Sequence, residues 1–159
     1  MYKNILLAID GSSTSQLALL EALKFAQIGC KIIAVSVIDN PLMNYDYGSP
    51  YTAVTFDYAE IHTGFCQQAE TTLKKAENDA QRLANVTIET HLIDLGVHSD
   101  YEGIADALEK AAMDYHADLI IIGTHGRRGI KRLFMGSVAE QVIRRSQIPV
   151  LIIRDQQDS

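Results

Sequence analysis

At 159 residues with 47% hydrophobic content, the chain is long enough to bury a core without disulfide or metal staples, and one domain spanning 1–159 is expected. Its net charge of −6 argues against general nucleic-acid affinity, and no apolar run approaches the ~20 residues that span a bilayer. The two cysteines, Cys30 and Cys66, show no Cys-x-x-Cys and no histidine at metal-ligand spacing, so they read as reduced thiols of a cytosolic protein.

The chain opens on Met1-Tyr-Lys-Asn and then only five apolar residues, Ile5 to Ile9, before Asp10, so no secretory signal is expected. Residues 4–10 form a first strand. Its nearly unbroken apolarity fits a strand covered on both faces, as in a parallel sheet. Asp10-Gly11-Ser12-Ser13 supplies a turn and candidate helix caps. A helix follows to about Gln27, with Leu19, Ala22, Leu23 and Ala26 on one face and Gly29 as its stop. Residues 31–37 are the second strand.

Residues 38–57 contain Pro41, Gly48 and Pro50, with Tyr45, Tyr47 and Tyr51 among them. A loop this long reads as either a binding loop or a loosely packed surface segment. Residues 58–84 form a long helix with Phe65, Ala69, Leu73, Ala76, Ala80 and Leu83 at helical spacing. Residues 86–92 alternate as a third strand nearer an edge. After a loop around Gly96, residues 101–116 read as a helix with Ile104, Leu108, Ala111, Ala112 and Tyr115 inward. Residues 119–122 are the fourth strand and residues 138–145 a helix. Val150–Ile153, after Pro149, is the fifth strand. Strands alternating with helices predict an open, doubly wound α/β sheet, because parallel neighbours require crossover connections.

Between the fourth strand and its helix lies Gly123-Thr-His-Gly-Arg-Arg-Gly-Ile-Lys-Arg-Leu-Phe-Met-Gly-Ser137. Glycine at 123 and 126 permits close backbone approach or positive φ. Gly136-Ser137 falls where a helix begins, so its N–H groups and the Ser137 hydroxyl suit phosphate oxygens. Arg127, Arg128, Lys131 and Arg132 add positive charge. Residues 127–159 carry +4, with 7 Lys/Arg against 3 Asp/Glu; residues 1–126 carry −10, with 7 against 17. Ligands of such sheets bind beyond the carboxyl ends of the strands where strand order reverses. If strands one and four flank that point, Asp10 and the glycine loop share one crevice. There is no Walker loop, no G-x-G-x-x-G after the first strand, and no zinc or EF-hand spacing.

The glycine pattern resembles that of the nucleotide-binding branch of the universal stress protein family. So do the opening Ile5-Leu-Leu-Ala-Ile-Asp-Gly-Ser12, Val35-Ser-Val-Ile38, and the closing Ser146-Gln-Ile-Pro-Val-Leu-Ile-Ile153. The resemblance covers nearly the whole chain apart from residues 38–57. It implies a five-stranded parallel sheet of order 3-2-1-4-5 with ATP, or ADP or AMP, held in the crevice. Ala8, Ile9 and Asp10 would then line the adenine and ribose side, and Val37 would meet adenine through its backbone. Gly123, His125 and Gly126 would lie against ribose and the first phosphates, with Arg127 a less constant neighbour. Gly136, Ser137 and Val138 would take the outer phosphates. It also implies a homodimer paired through Val150–Ile153, whose apolar edge needs covering.

Asp10 suits a ribose hydroxyl or a Mg²⁺ held with the nucleotide; its structural alternative is to cap the following helix. His125 suits ribose or phosphate, or is simply solvated. Neither has an evident partner that would tune it for catalysis, and the lone Asp10 lacks the acidic cluster of a receiver domain. The sequence therefore reads as a cytoplasmic, nucleotide-dependent regulatory switch of the stress response with slow or no hydrolysis and an unknown client protein. The alternative is a Mg²⁺-dependent ATP hydrolase or phosphotransferase using Asp10.

Overall fold

The first strand sets the architecture. Ile5, Leu6 and Leu7 are all fully buried, which requires cover on both faces of the sheet. The structure is a computed structural model that describes residues 2–39, 58–96, 101–125 and 135–155. Its elements are β1 (Asn4–Ala8), α1 (Ser13–Ala26), β2 (Lys31–Ile38), α2 (Tyr58–Ala84), β3 (Glu89–Asp94), α3 (Ile104–Asp114), β4 (Leu119–Gly123), α4 (Ser137–Arg145) and β5 (Val150–Ile153). The five strands form one parallel sheet of order β3-β2-β1-β4-β5, as the sequence led us to expect.

Side chains alternate across the strands, so each strand feeds two cores. Ile5, Leu7, Ile32, Ala34, Leu119 and Ile121 face α1 and α2. Leu6, Ile33, Val35, Ile120 and Ile122 face α3 and α4. Each fully buried Leu or Ile contributes roughly 1.5–3 kcal/mol of transfer free energy. The burial explains why β1 and β4 read as continuous apolar runs.

Two elements start three residues later than expected. Strand β3 begins at Glu89 and not at Val86. Asn85 adopts φ 54° at the end of α2, and the Val86 N–H closes back on the Ala80 carbonyl at 3.3 Å. Residues 86–88 are thus spent on leaving the helix, and pairing with β2 runs from Ile33↔Glu89 to Ile38↔Asp94. Helix α3 begins at Ile104 and not at Tyr101, because Gly103 stands before it at φ 148°, where a side chain is disfavoured. In α2, Ala69, Leu73, Ala76 and Ala80 are buried as expected, but Leu83 is half exposed. Most of the tyrosine-bearing segment, residues 40–57, lies outside the described residues.

Strand β1 connects through α1 to β2 on one side, while β3 returns through α3 to β4 on the other. The order therefore reverses between β1 and β4. Pairing of β1 with β2 ends at Ala8↔Val35, whereas β2 continues to Ile38. That shortfall opens a crevice beyond the carboxyl end of β1.

Candidate functional site

The crevice is a cleft of ≈ 710 Å³. Its floor is the end of β1: Ile9 N–H donates to the Val35 carbonyl at 2.9 Å, and the chain then turns away through Asp10 and Gly11. One Asp10 carboxylate oxygen accepts from Ser12 N–H at 2.9 Å. Asp10 does not cap α1. That role falls to Ser12, whose hydroxyl accepts from Ser15 N–H at 3.2 Å. Asp10 instead lines the cleft with Ala8 and Ile9.

The first turn of α1 also ties down the exit of β4. The Ser12 hydroxyl donates to the His125 carbonyl at 3.2 Å, and the Thr14 hydroxyl donates to the same oxygen. Gly123 sits against that turn. A Cβ there would stand 2.8 Å from Thr14 Cβ and 2.9 Å from the Thr14 carbonyl carbon. The glycine at 123 is therefore required by helix packing, although the residue also borders the cleft.

Thr124 holds the junction together. Its N–H donates to the Ile153 carbonyl at 2.8 Å, and its carbonyl accepts from Gly136 N–H at 2.8 Å. The chain thus leaves at His125 and returns at Gly136 beside its point of departure. Thr124 Oγ1 lies 3.0 Å from His125 Nδ1. His125 Nε2 is buried without a hydrogen-bond partner among the described residues.

Helix α4 starts here without a side-chain cap. Gly136 is its N-cap and Ser137 its first helical residue, one position before the expected start at 138. Glu140 N–H reaches the Gly136 carbonyl at 3.0 Å. The N–H groups of Ser137, Val138 and Ala139 precede that first intrahelical bond and have no helical acceptor. All three residues line the cleft. Orphan donors together with the positive end of the helix dipole make this an anion-accepting end.

A second helix start, that of α3, meets the same cleft through Glu102, Gly103, Ile104 and Ala105. This end is already provided with negative charge. The Asp106 carboxylate accepts from Glu102 N–H at 3.1 Å and pairs with Lys110 at 3.1 Å. The bond to Lys110, then that to the Glu102 N–H, holds its carboxyl below the usual range. Of the two helix ends, α4 is the one suited to an anion. Apolar side chains of Val37, Phe65, Ile104, Leu108 and Val138 also line the cleft.

Ala8, Ile9, Asp10, Val37, Gly123, His125, Gly136, Ser137 and Val138 therefore all border one cleft. Gly126 and Arg127 lie outside the described residues, as do Arg128, Lys131 and Arg132. Sequence reasoning missed Asp39, Phe65, Gln68, Glu102 and Thr124, which also line it. For Asp39 a signal was available, since it follows β2 as Asp10 follows β1. Both cysteines are free thiols, as expected, but the expectation that no histidine is suitably spaced from them is corrected. His62 lies one helical turn before Cys66, with its Nε2 3.6 Å from the sulfur.

The fold and this crevice define an open α/β protein with a cleft at the reversal of strand order. The model of the universal stress protein family matches residues 1–154, and the chain belongs to that family. It is 32% identical over 155 residues to a universal stress protein of Thermus aquaticus, covering 97% of this chain and all of that one. The crystal structure of a family member from Burkholderia pseudomallei matches at TM-score 0.72 and 30% identity, covering 96% of both chains. A universal stress protein crystallised in complex with cAMP matches at TM-score 0.61 and 26% identity, covering 96% of this chain and 97% of that one.

Proposed function

We propose that this chain is an adenine-nucleotide-binding regulatory protein that holds ATP, or ADP or AMP, in the β1–β4 cleft. The observation that carries the reading is the side-chain-uncapped N-terminus of α4 at a cleft that also presents apolar Val37, Phe65, Ile104 and Leu108. The cAMP complex of a relative supports an adenine nucleotide as the ligand class. The residues fit such a group. A Cβ at Gly136 would stand 3.1 Å from the Thr124 carbonyl, so glycine permits that close backbone approach, and the N–H groups of Ser137, Val138 and Ala139 are left to meet phosphate at the cleft.

In this reading Ala8, Ile9 and Val37 meet the base, and Asp10 takes a ribose hydroxyl or a Mg²⁺ carried with the nucleotide. Gly123, His125 and Gly126 lie along ribose and the first phosphates. Gly136, Ser137 and Val138 take the outer phosphates, with Arg127 adding charge. The protein acts as one cytoplasmic domain and a homodimer through Val150–Ile153. It is a nucleotide-dependent switch in the stress response, with slow or no hydrolysis, read by a client protein.

The test is direct. The purified protein is denatured and any released nucleotide identified; the emptied, folded protein is then titrated with ATP by calorimetry. No released nucleotide and no heat at millimolar ATP would defeat the proposal. Gly136→Asp places a carboxylate at the helix end and should weaken ATP binding at least ~10-fold, since an anion then occupies the dipole site. Unchanged affinity in a folded Gly136→Asp protein would remove the phosphates from α4. Steady ATP turnover lost in Asp10→Asn would favour a hydrolase.

A further inference from the structure

Outside the cleft, three side chains of metal-ligand type converge where α2 packs on the end of β3. His62 Nε2 lies 2.8 Å from Asp94 Oδ2 and 3.6 Å from Cys66 Sγ, and one ligand atom from each residue falls within 4.8 Å of the others. We propose that His62, Cys66 and Asp94 form a binding site for a borderline-soft divalent transition ion, with Zn²⁺ the best match.

The donor set selects the metal. An imidazole, a thiolate and a carboxylate are the ligands of Zn²⁺, whereas Mg²⁺ and Ca²⁺ take oxygen. Geometry agrees. With Zn–N about 2.0–2.1 Å and Zn–S about 2.3 Å, tetrahedral ligands lie about 3.3–3.6 Å apart. The His62–Cys66 separation of 3.6 Å already has that value. The His62–Asp94 pair stands at hydrogen-bond distance and opens by roughly half an ångström to admit an ion. The spacing follows from the fold. Residues 62 and 66 are neighbours on one helical face, and Asp94 is brought to them by the pairing of β3 with Ile38 at the end of β2.

The cluster is poorly served by protons alone. The ring nitrogen Nε2 has one in-plane position, and it is approached by both a carboxylate and a sulfur. One proton there cannot serve both contacts at full strength. Nδ1 of the same ring is buried without a hydrogen-bond partner among the described residues, so the ring is held by its Nε2 side. Asp94 is itself oriented, since its other oxygen accepts from Gly96 N–H at 3.0 Å. Ligating carboxylates commonly have such support. Burial, then Asp94 and Glu70, pushes the Cys66 thiol up, which does not suit a nucleophilic cysteine. A fourth position is left for water or an exogenous ligand.

Metal binding releases the thiol proton to solvent and forms a metal–sulfur bond, with no redox change. The experiment uses the full-length protein, stripped of metal and nucleotide, titrated with Co²⁺ as a spectroscopic stand-in. The expected result is a sulfur-to-cobalt charge-transfer band saturating at one equivalent per chain, displaced by Zn²⁺. Folded Cys66→Ser should lose the band, and folded Asp94→Asn should bind more than ~10-fold more weakly. Saturation without a charge-transfer band, or a band persisting in Cys66→Ser, would overturn the proposal. A measurement on the unmutated protein keeps it testable if those variants do not fold. Zn²⁺ should slow N-ethylmaleimide alkylation of Cys66 at least ~10-fold, read by peptide mass against Cys30, whose thiol is buried and donates to the Tyr2 carbonyl. Equal alkylation rates with and without Zn²⁺ would also overturn it.

Discussion

The structure gives Gly123 a structural reason to be glycine, and Gly123→Ala tests that reason against a ligand-binding one. The added Cβ would lie 2.5 Å from Thr14 Oγ1, 2.8 Å from Thr14 Cβ and 2.9 Å from the Thr14 carbonyl carbon. Ordinary carbon–carbon contacts lie near 3.5–4.0 Å, so the two elements must part by roughly 0.7–1 Å. Rotating Thr14 relieves only the hydroxyl contact. The Cβ and backbone contacts force the first turn of α1 off the sheet, against which Ala18 and Ala22 are fully buried. Overpacking of this kind costs about 1–3 kcal/mol. Losing the Thr14 bond to the His125 carbonyl adds about 1 kcal/mol. The expected total of about 2–4 kcal/mol lowers Tm by roughly 4–16 °C at this chain length. Urea unfolding followed by circular dichroism measures it. In a Thr14→Gly background two of the three contacts disappear, so the cost of Gly123→Ala should shrink and the double-mutant cycle should show coupling. An unchanged urea midpoint in Gly123→Ala, accompanied by weaker ATP binding, would refute the reasoning and return Gly123 to the ligand.

Two further outcomes are expected. Glu109 has a buried carboxylate oxygen without a hydrogen-bond partner among the described residues. Burial raises its pKa against the opposing charge of Arg145, and Asp106 adds to the rise. A raised folded pKa gives a contribution that is full below the unfolded value, near 4.3, and is lost as pH rises through the folded value. Glu109→Gln removes that loss, so its stability relative to the parent should increase from pH 4 to pH 7; parallel pH–stability curves would exclude the effect. For the proposed dimer through Val150–Ile153, a spin label on Arg154→Cys in a Cys66→Ser background should report a short inter-chain distance, and the absence of any inter-chain distance would remove that interface.

Legibility from sequence followed burial and locality. Strands β1 and β4 were plain because central parallel strands are apolar on both faces, as Ile5–Leu7 and Ile120–Ile121 are. Strand β3 was displaced because residues 86–88 carry the same alternation as the strand, yet the Asn85 turn spends them on the helix exit. Within the cleft, residues that share a local motif, such as Gly136 and Ser137, could be read from spacing, and Val138 followed from the family resemblance. Phe65, Gln68 and Glu102 could not, since only packing of α2 and α3 against the sheet brings them there. The His62–Cys66 spacing was visible along the helix. Asp94 joins them only through β3 pairing, so the cluster had no complete signature in the chain.

Charge placement gives the proposed ligand a direction. Asp10 and Asp39, beyond the ends of β1 and β2, and Glu102, before α3, border the cleft. A phosphate brought within about 4 Å of any one of these carboxylates would meet roughly 1–4 kcal/mol of repulsion, depending on local solvent. The start of α4 offers the opposite, with three orphan N–H groups and no side-chain cap. The acidic residue of its first turn, Glu140, is drawn to Arg144 at 2.8 Å. A nucleotide in the proposed site therefore has one electrostatically favourable orientation. Its base and ribose lie toward Val37 and Asp10, where hydroxyls can donate to carboxylates, and its phosphates lie toward Ser137. The reversed pose would bring phosphate against Asp10 and Asp39 while leaving the α4 donors unmet. On this argument the acidic residues do more than tolerate the ligand: they exclude its alternative pose, and with Glu102 and Asp106 at the start of α3 they leave the anion to the start of α4.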